Sequence, residues 1–426
     1  MMLFRILSIL GIASFAFAGE LNTGDTAWMM ISTALVLLMT PAGLALFYTG
    51  MTRSKNALNT TAMVVGAFVV GFSAWIIAGY SLAFSDGNAF IGGVKNIFLN
   101  GISWKDLSGT YPMYIFIAFQ GMFAAITVAI ASGSIIGRMK YVTWLIFAFI
   151  WILVVYAPSA HMVWGGGFLM NKGTLDFAGG TVVHMNGGLA GLVLALLIGK
   201  RKGYGRIAFK PMSVMLASLG AALLWFGWFG FNAGSAFGAN AIAGLAFLTT
   251  AFAPAIAAIT WMILEYIVYK KITLLGAISG IVAGLVGITP AAGFVNMFGA
   301  LIIGLGSSII AFWGIVWLKK KFGYDDALDA FGVHFLAGLY GALAVAFLAI
   351  KDNNLLWDGP LKATGSRMAQ FGVQLESVVI VGIYTAIGTV VVYYIASLIT
   401  GGARVSEEEE IEGLDEAIHG EKSINL

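Results

Sequence analysis

The sequence predicts an all-α polytopic membrane protein with eleven transmembrane helices, and two observations lead to this fold class. Hydrophobic residues make up 60% of the 426 residues and charged residues only 10%, too few to cover a water-facing globule. The mean hydropathy is +0.92, and the apolar residues fall into segments of about 20 residues, the length that crosses a bilayer core. The net charge of +3 does not indicate a nucleic-acid partner.

Residues 1–18 are predicted to be a secretory signal peptide. Arg5 lies near the front of a short apolar core, and Ala16-Phe17-Ala18 forms an A-x-A cleavage pattern before Gly19. An uncleaved additional helix is the alternative, although the apolar run is interrupted soon after Gly19.

Residues 19–400 form the predicted membrane domain, which contains eleven apolar segments. These segments are 26–49, 59–82, 112–136, 142–163, 179–199, 211–231, 246–268, 273–291, 293–318, 331–350 and 375–399. Only Thr289-Pro290 and Gly293 mark a turn between the eighth and ninth segments. Merging these two segments gives a ten-span alternative.

The loop charges favour eleven spans. Lys and Arg near helix ends stay cytoplasmic, and with eleven spans sixteen basic residues fall on one side of the membrane and six on the other. Merging the eighth and ninth segments moves Lys319, Lys320 and Lys321 to the sparse side. We therefore predict that the mature N-terminus is outside and that the tail, residues 401–426, is cytoplasmic.

An internal symmetry predicts two inverted five-helix repeats followed by an eleventh helix. His184 in span five and His334 in span ten each begin the pattern HxxxGxxG, and each follows an aspartate, Asp176 or Asp329. An odd number of spans in each half is what an inverted repeat requires. Equivalent positions bring the two histidines together near the midplane.

Intramembrane histidines usually mark a solute pathway. Low dielectric opposes their charged form, so His184 and His334 can share a proton and guide a neutral or proton-exchanging solute. One alternative is a pair of buried histidines that bridges helices. A metal site is another, weakened because no cysteine is present and no third ligand is evident near either ring.

Aromatic and hydroxyl residues form a second constellation near the outer ends of the spans. Its members share helix faces on spans three and six or follow span four: Phe119, Phe123, Trp164, Trp228, Phe231 and Ser235. Each alone is compatible with an aromatic belt or lipid contact. Together they predict a vestibule for a cation. Cation–π attraction contributes about 0.5–2 kcal/mol per ring, which cannot offset the roughly 20 kcal/mol that full desolvation of an ion costs. A weak-acid cation would therefore cross as its neutral base.

At these residues the sequence resembles the ammonium transporter family (Amt/Mep/Rh), on the Amt/Mep branch. The matching stretches are PAGLALFYTG at 41–50, AFQG at 118–121, AHMVWGGG at 160–167, DFAGGTVVH at 176–184, WFGFNAGSA at 228–236, DAFGVH at 329–334 and GLDEAIHGE at 413–421. The resemblance implies a bacterial-type homotrimer in the cell membrane, with a pore in each subunit, that serves nitrogen uptake. It implies ammonium, ammonia and methylammonium as solutes, no cofactor and no enzymatic activity.

The resemblance also implies a role for each matching residue. Trp164, Phe123 and Ser235 correspond to the outer recruitment site, Phe123 and Phe231 to a phenyl gate, and Asp176 to a structural aspartate near the recruitment site. The implied pore residues are His184, His334, Trp228, Phe119 and Leu328; Phe47, Tyr48 and Tyr156 match positions beside the pore or vestibule. From the residues alone, Asp176 is either a helix cap or a charge that attracts the cation.

The acidic tail alone is typical of solvated disorder, but its match to the family tail implies that it packs under the subunits and that a PII-type signal protein docks on the cytoplasmic face.

Rival functions are a water or neutral-solute channel, an ammonium sensor and an ATP-driven pump. The sequence contains no NPA pair, no TVGYG filter and no GxxxxGK[ST] loop. An ammonium permease is the leading prediction.

Overall fold

The computed structural model describes residues 19–350 and 364–423, so the predicted signal peptide at 1–18 and the loop residues Lys351 and Lys362 lie outside the described residues. Within the described ranges, ten helices are long and apolar enough to cross a membrane, and the shorter apolar helix Leu274–Ile288 makes eleven. The predicted all-α fold class is therefore confirmed.

The spans in chain order are α1 Thr23–Met51, α2 Ser54–Phe84, α3 Met113–Ser132, α4 Tyr141–Asn171, α5 Gly180–Ile198, α6 Val214–Gly234, α7 Ala241–Tyr269, α8 Leu274–Ile288, α9 Met297–Phe322, α10 Phe331–Leu348 and α11 Arg367–Ile399. The tail adds α12 Glu407–Glu412 and α13 Leu414–His419. A small hairpin of β1 Leu107–Ser108 and β2 Tyr111–Pro112 lies between α2 and α3. We call the two ends of the bundle outer and inner, after the predicted orientation.

Helices α8 and α9 are separate, so the ten-span alternative is wrong. Thr273 caps α8 by accepting a hydrogen bond from the Gly276 N–H, and Asn296 caps α9 by accepting from the Gly299 N–H. The 15 residues of α8 rise about 22 Å, less than the roughly 30 Å of a bilayer core. The turn that follows Ile288 continues the span toward the outer end.

Several predicted helix boundaries were wrong because hydropathy does not detect polar helix ends. Helix α11 begins at Arg367 rather than residue 375, since Ser366 caps it by accepting from the Ala369 N–H. Lys319 and its two lysine neighbours form the last turn of α9 rather than a loop. Cations are favourable at a helix C-terminus, which allows the helix to continue beyond its apolar segment.

Helices α1–α5 and α6–α10 form the predicted inverted repeat, and their backbone hydrogen bonds follow it. The segment before α10 donates to the end of α3 at the inner side, and the segment before α5 donates to the end of α8 at the outer side. The four bonds are Ala327 N–H to Ser134 O (3.2 Å), Leu328 N–H to Gly133 O (3.0 Å), Phe177 N–H to Pro290 O (3.1 Å) and Ala178 N–H to Thr289 O (3.2 Å). The same pairing thus joins span ten to span three and span five to span eight.

The internal symmetry predicted from the sequence pairs Asp176 with the wrong aspartate of the second repeat. Asp326, not Asp329, stands as far before His334 as Asp176 stands before His184. Asp326 is buried and accepts from the Phe331 N–H at the start of α10. Asp329 instead has a positive φ of 60°, like Gly179 at the matching position with φ 108°. The sequence favoured Asp329 only because that aspartate is nearer to the histidine.

The tail packs against the inner end of the bundle, as the resemblance implied. Asp415 accepts from the backbone N–H groups of Leu58 and Asn59 at the start of α2. Glu410 accepts from the Lys202 N–H and forms an ion pair with Arg404 at 2.7 Å. These contacts tie the tail to the start of α2 and to the loop that follows α5.

A buried ion pair joins the α5–α6 and α9–α10 loops at the same end. Arg201 contacts Asp325 through two guanidinium nitrogens, with an Nη2 to Oδ1 distance of 2.6 Å. Buried Arg138 donates to the Asp325 backbone oxygen. Burial alone would raise the pKa of Asp325, but the hydrogen bonds and charge of Arg201, together with the charge of Arg138, hold that pKa below its usual value.

Candidate functional site

A cavity of about 580 Å³ opens at the outer end and is lined by most of the predicted recruitment residues. Phe123, Trp164, Ser235 and Asp176 all line it. The Trp164 ring meets the Phe123 ring edge-on, with centroids 6.3 Å apart, and its Nε1–H donates to the Asp176 backbone oxygen at 2.8 Å. Of the six residues predicted to form the vestibule, Phe123, Trp164 and Ser235 line this cavity, on α3, on α4 and directly after α6, whereas Phe119, Trp228 and Phe231 do not.

Asp176 caps the first turn of α5 with both carboxylate oxygens, as the helix-cap interpretation predicts. Oδ1 and Oδ2 each accept two backbone N–H groups. The donors are Gly179 (3.1 Å), Gly180 (2.6 Å), Thr181 (3.0 Å) and Val182 (3.0 Å). A helix leaves its first N–H groups without intrahelical partners, so one buried carboxylate satisfies the start of the span that carries His184.

Two phenyl rings close the floor of the outer cavity. Phe123 and Phe231 are stacked with ring centroids 4.1 Å apart and an interplanar angle of 24°. Both rings are buried. Phe119 packs behind them, with its centroid 4.9 Å from that of Phe123, and it does not line either described cavity. The stacked pair leaves no open passage between the rings.

The two histidines lie directly beneath this pair, in contact with each other. Nδ1 of His184 is 3.2 Å from Nδ1 of His334, and their rings are nearly parallel at 17° with centroids 5.4 Å apart. The His184 ring also contacts Phe231, with centroids 5.7 Å apart. One Nδ1 donates and the other accepts, since two lone pairs or two protons at this distance repel. The predicted juxtaposition at equivalent repeat positions is present in the structure.

Trp228 fixes one side of the histidine pair. Its ring stacks on His184 with centroids 5.1 Å apart and an angle of 19°. Its Nε1–H donates to Thr289 Oγ1 at 2.9 Å, in the turn after α8. The acceptor Thr289 was not predicted as a site residue, because its contact joins two spans that are distant in sequence.

Nε2 of His184 is buried and has no hydrogen-bond partner among the described residues. This is costly, since a buried polar atom without a partner loses about 1–3 kcal/mol. Native structures usually satisfy such atoms with protein, water or ligand. The atom therefore marks a position that can exchange a hydrogen bond with a passing small molecule.

A second cavity of about 230 Å³ reaches the histidines from the inner end. His334 lines it, as does Leu328, which the resemblance placed in the lower pore. Phe47 and Tyr48 of α1 line it too. Contacts thus run from the outer cavity through the phenyl pair and the histidine pair to the inner cavity.

Tyr156 lies near the outer cavity without lining it, and Gln120 is a lining residue that the sequence analysis did not single out. The Tyr156 ring packs against Trp75 with centroids 6.1 Å apart, and Asp176, which lines the cavity, is within electrostatic range of it. Gln120 lines the cavity, and its Oε1 is buried without a hydrogen-bond partner among the described residues. Gln120 stood within the AFQG stretch, where its position one residue after Phe119 was the only signal.

Across residues 19–350 and 364–423, no group of three or more His, Asp or Glu side chains has a geometry that can hold a metal ion. The histidine pair therefore has no described third ligand, and the metal-site alternative gains no support from the geometry.

Comparisons with known proteins agree with one another along nearly the whole chain. Residues 27–424 match the model of the family described as Ammonium Transporter Family. An ammonium transporter of Aquifex aeolicus is 48% identical, covering 99% of this chain and 100% of the relative. The crystal structure of Candida albicans Mep2 superposes with a TM-score of 0.83 at 32% identity, covering 92% of this chain and 88% of that one. A structure described as Sensor Amt Protein gives a TM-score of 0.85 at 29% identity, covering 93% and 98%.

Proposed function

The chain belongs to the ammonium transporter family, and we propose that it binds ammonium in the outer cavity, removes a proton and conducts ammonia past His184 and His334. Methylammonium is the expected second solute. The observation that carries the proposal is the unpartnered Nε2 of His184, in a ring that contacts both the phenyl pair and the second histidine.

Recruitment takes place where ring faces and oxygen atoms surround a wide cavity. Phe123 and Trp164 offer their π-systems to a cation. The Ser235 hydroxyl donates to the Phe231 backbone oxygen, which leaves its oxygen lone pairs free to accept from ammonium. Gln120 Oε1 is a further acceptor without a partner among the described residues. Together these groups replace part of the hydration shell of a small cation.

The same groups are too weak to draw the cation further inward. Each ring contributes about 0.5–2 kcal/mol, whereas full desolvation of an ion costs on the order of 20 kcal/mol in the idealised limit. The rings of Phe123 and Phe231, 4.1 Å apart, offer no hydrogen bond to a charged solute. The proposed step avoids that cost, because ammonium gives its proton to solvent water in the open outer cavity and only neutral ammonia passes the two rings.

The histidine pair suits a molecule that both donates and accepts hydrogen bonds. If Nδ1 of His184 donates to His334, then Nε2 of His184 is an acceptor for an ammonia N–H. If Nδ1 of His184 accepts, then Nε2 carries a proton and donates to the ammonia lone pair. Either tautomer provides one partner, and interchange of the two tautomers can relay a proton separately.

Reconstituted protein tests the proposal. Ammonium is added to proteoliposomes while transient current and internal pH are recorded for the wild type and for His184→Ala combined with His334→Ala. We expect ammonium-dependent flux in the wild type, and in the double variant impaired flux or lost discrimination against potassium. His419→Ala, in the tail, is the matched histidine control. Unchanged uptake and unchanged ion discrimination in the double variant would refute the pore role of the pair.

We also propose a homotrimer in the cell membrane with its tail in the cytoplasm, and a PII-type signal protein as a partner on the inner face. The packed tail, with Asp415 capping α2, supports a docking surface of fixed shape there. Mass determination in nanodiscs tests the trimer. Co-purification and inhibition assays test the PII protein, and their failure would remove that partner.

An ammonium sensor is the second candidate function. The structure described as Sensor Amt Protein covers 93% of this chain, and the tail contacts the start of α2 through Asp415 and the loop after α5 through Glu410. A sensor predicts that ammonium changes hydrogen exchange in α12 and α13 without net flux. A permease predicts flux that does not depend on such a change.

A further inference from the structure

His161 is a buried histidine that the pore does not use. It lies in the AHMVWGGG stretch, three residues before Trp164, and is 2% exposed. Its Nδ1 is 2.9 Å from the Ala83 backbone oxygen, and its Nε2 is 2.8 Å from the Asn88 backbone oxygen. Both neighbours are carbonyl groups, which accept hydrogen bonds and never donate them.

Two carbonyl acceptors require two ring N–H donors. A neutral imidazole carries one N–H and one lone pair, so one contact would place a nitrogen lone pair against a carbonyl lone pair. Turning the ring over would exchange nitrogen for carbon at both contacts, but C–H···O contacts have carbon–oxygen distances of about 3.3–3.6 Å. The observed distances of 2.8 and 2.9 Å fit nitrogen at both positions.

The surroundings of His161 favour a positive charge. His161 lies in the last turn of the helical segment Ala157–Trp164, where cations interact favourably with the helix dipole. Ala83 lies in the last turn of the segment Tyr80–Phe84, whose final carbonyl groups lack intrahelical donors. Negative ends of two helical segments therefore meet at the ring.

We propose that His161 carries a proton on both ring nitrogens and, as a positioning residue, fastens the outer loop that begins after Phe84 to the part of α4 that presents Trp164. The loop is held at a second point by the Phe168 N–H, which donates to the Ala89 oxygen. Losing one ring proton removes one of the two histidine contacts and loosens the Trp164 segment. The positioning role rests on the proposed function of Trp164, whereas the protonation state does not.

Other titratable groups near this part of α4 are engaged elsewhere. The Tyr80 hydroxyl contacts Met113 Sδ, and the Tyr384 hydroxyl donates to the Val154 oxygen. Glu376 pairs with Lys172. The remaining groups are the Asp176 carboxylate, bound to four amides; the His184 ring, bound to His334; the buried Tyr156 hydroxyl; and exposed Asp86. No described hydrogen bond or ion pair joins His161 to a carboxylate, so the two carbonyl groups carry the inference.

Nitrogen-15 NMR of histidine-labelled protein in nanodiscs tests the protonation state without any transport assay. The chain contains four histidines, so His161→Gln assigns the ring by loss of its signals, and His419→Gln is the matched control. We expect a doubly protonated His161 ring at neutral pH. A neutral tautomer there overturns the proposal. Should His161→Gln fail to fold, single Gln variants of the other three histidines assign the ring by elimination.

Ammonium transport kinetics test the positioning role. Loss of one hydrogen bond corresponds to about a fivefold factor, so we expect His161→Gln to raise KM for ammonium by about that factor and to leave kcat nearly unchanged, whereas His419→Gln should change neither. An unchanged KM, or a fall in kcat with KM unchanged, overturns the positioning role. Absent flux in the wild type contradicts the proposed function instead, and leaves the NMR result standing.

Discussion

Asp176→Asn separates a structural role from an electrostatic role at the outer cavity. Each carboxylate oxygen of Asp176 accepts two backbone N–H groups at the start of α5. Asparagine retains one carbonyl oxygen, but its amide nitrogen is a donor. Two of the four N–H groups therefore lose their acceptor while the side chain keeps almost the same shape.

The expected cost follows from those two bonds. A hydrogen bond to a charged group contributes about 1.5–3 kcal/mol, so Asp176→Asn should lower the free energy of unfolding by about 3–6 kcal/mol. Asp326→Asn is the matched control at the equivalent position of the second repeat. Asp326 accepts from a single described N–H, that of Phe331, and asparagine can keep that bond through its carbonyl oxygen. Its substitution should therefore cost only about 1 kcal/mol, the difference between a charged and a neutral acceptor.

Thermal unfolding in detergent, combined with ammonium-induced current per folded protein, distinguishes the two roles. If Asp176 is a cap, the unfolding midpoint falls further in Asp176→Asn than in Asp326→Asn, and current falls with the loss of the ordered α5 terminus. If Asp176→Asn unfolds like the wild type yet carries no current, the cap reasoning is wrong and the carboxylate acts through its charge on the cation.

Three further predictions concern the gate, the inner ion pair and the tail. Phe231→Ala removes one ring of the stack with Phe123, so methylammonium flux should rise while ammonium binding, measured by tryptophan fluorescence, stays unchanged. Weaker ammonium binding with normal flux would contradict a gating role of Phe231. Arg201→Met leaves buried Asp325 unpaired and should destabilise the protein by about 3–5 kcal/mol in thermal unfolding. Because the pKa of Asp325 is lowered, its contribution to stability is present above the pKa of unfolded aspartate, about 3.9. That contribution is lost as pH falls through the lower pKa that Asp325 has in the folded protein, and the Arg201→Met variant should lack this acid dependence. Equal free energies of unfolding of the wild type and this variant at neutral pH would argue against the ion pair. Asp415→Ala removes the acceptor of two α2 N–H groups, so hydrogen exchange in α12 and α13 should accelerate by at least about tenfold, and unchanged exchange would show that the tail is held elsewhere.

The spans and the histidine pair were predictable because their signals are local. Apolar length defines each span, and His184 and His334 begin the same HxxxGxxG pattern. The cap at Asp176 was likewise an expected use of an aspartate before a helix. These features depend on residues close together in the chain.

Features that depend on contacts between distant segments were missed. Thr289 accepts from Trp228, and His161 reaches one carbonyl group in the last turn of α2 and one on the loop that follows. None of these three contacts has a period or spacing that a sequence displays. Asp326 was overlooked because Gly179 in one repeat is replaced by Asp329 in the other, which provided a nearer but incorrect match.

Comparison of ammonium with potassium tests the claim that only the neutral base crosses. The two cations have similar size, but potassium cannot lose a proton and must shed its water in full to pass Phe123 and Phe231. In proteoliposomes of the wild-type protein, ammonium should produce flux and an internal pH change, while an equal potassium gradient should produce neither above the protein-free background. Potassium flux comparable to ammonium flux would contradict the account.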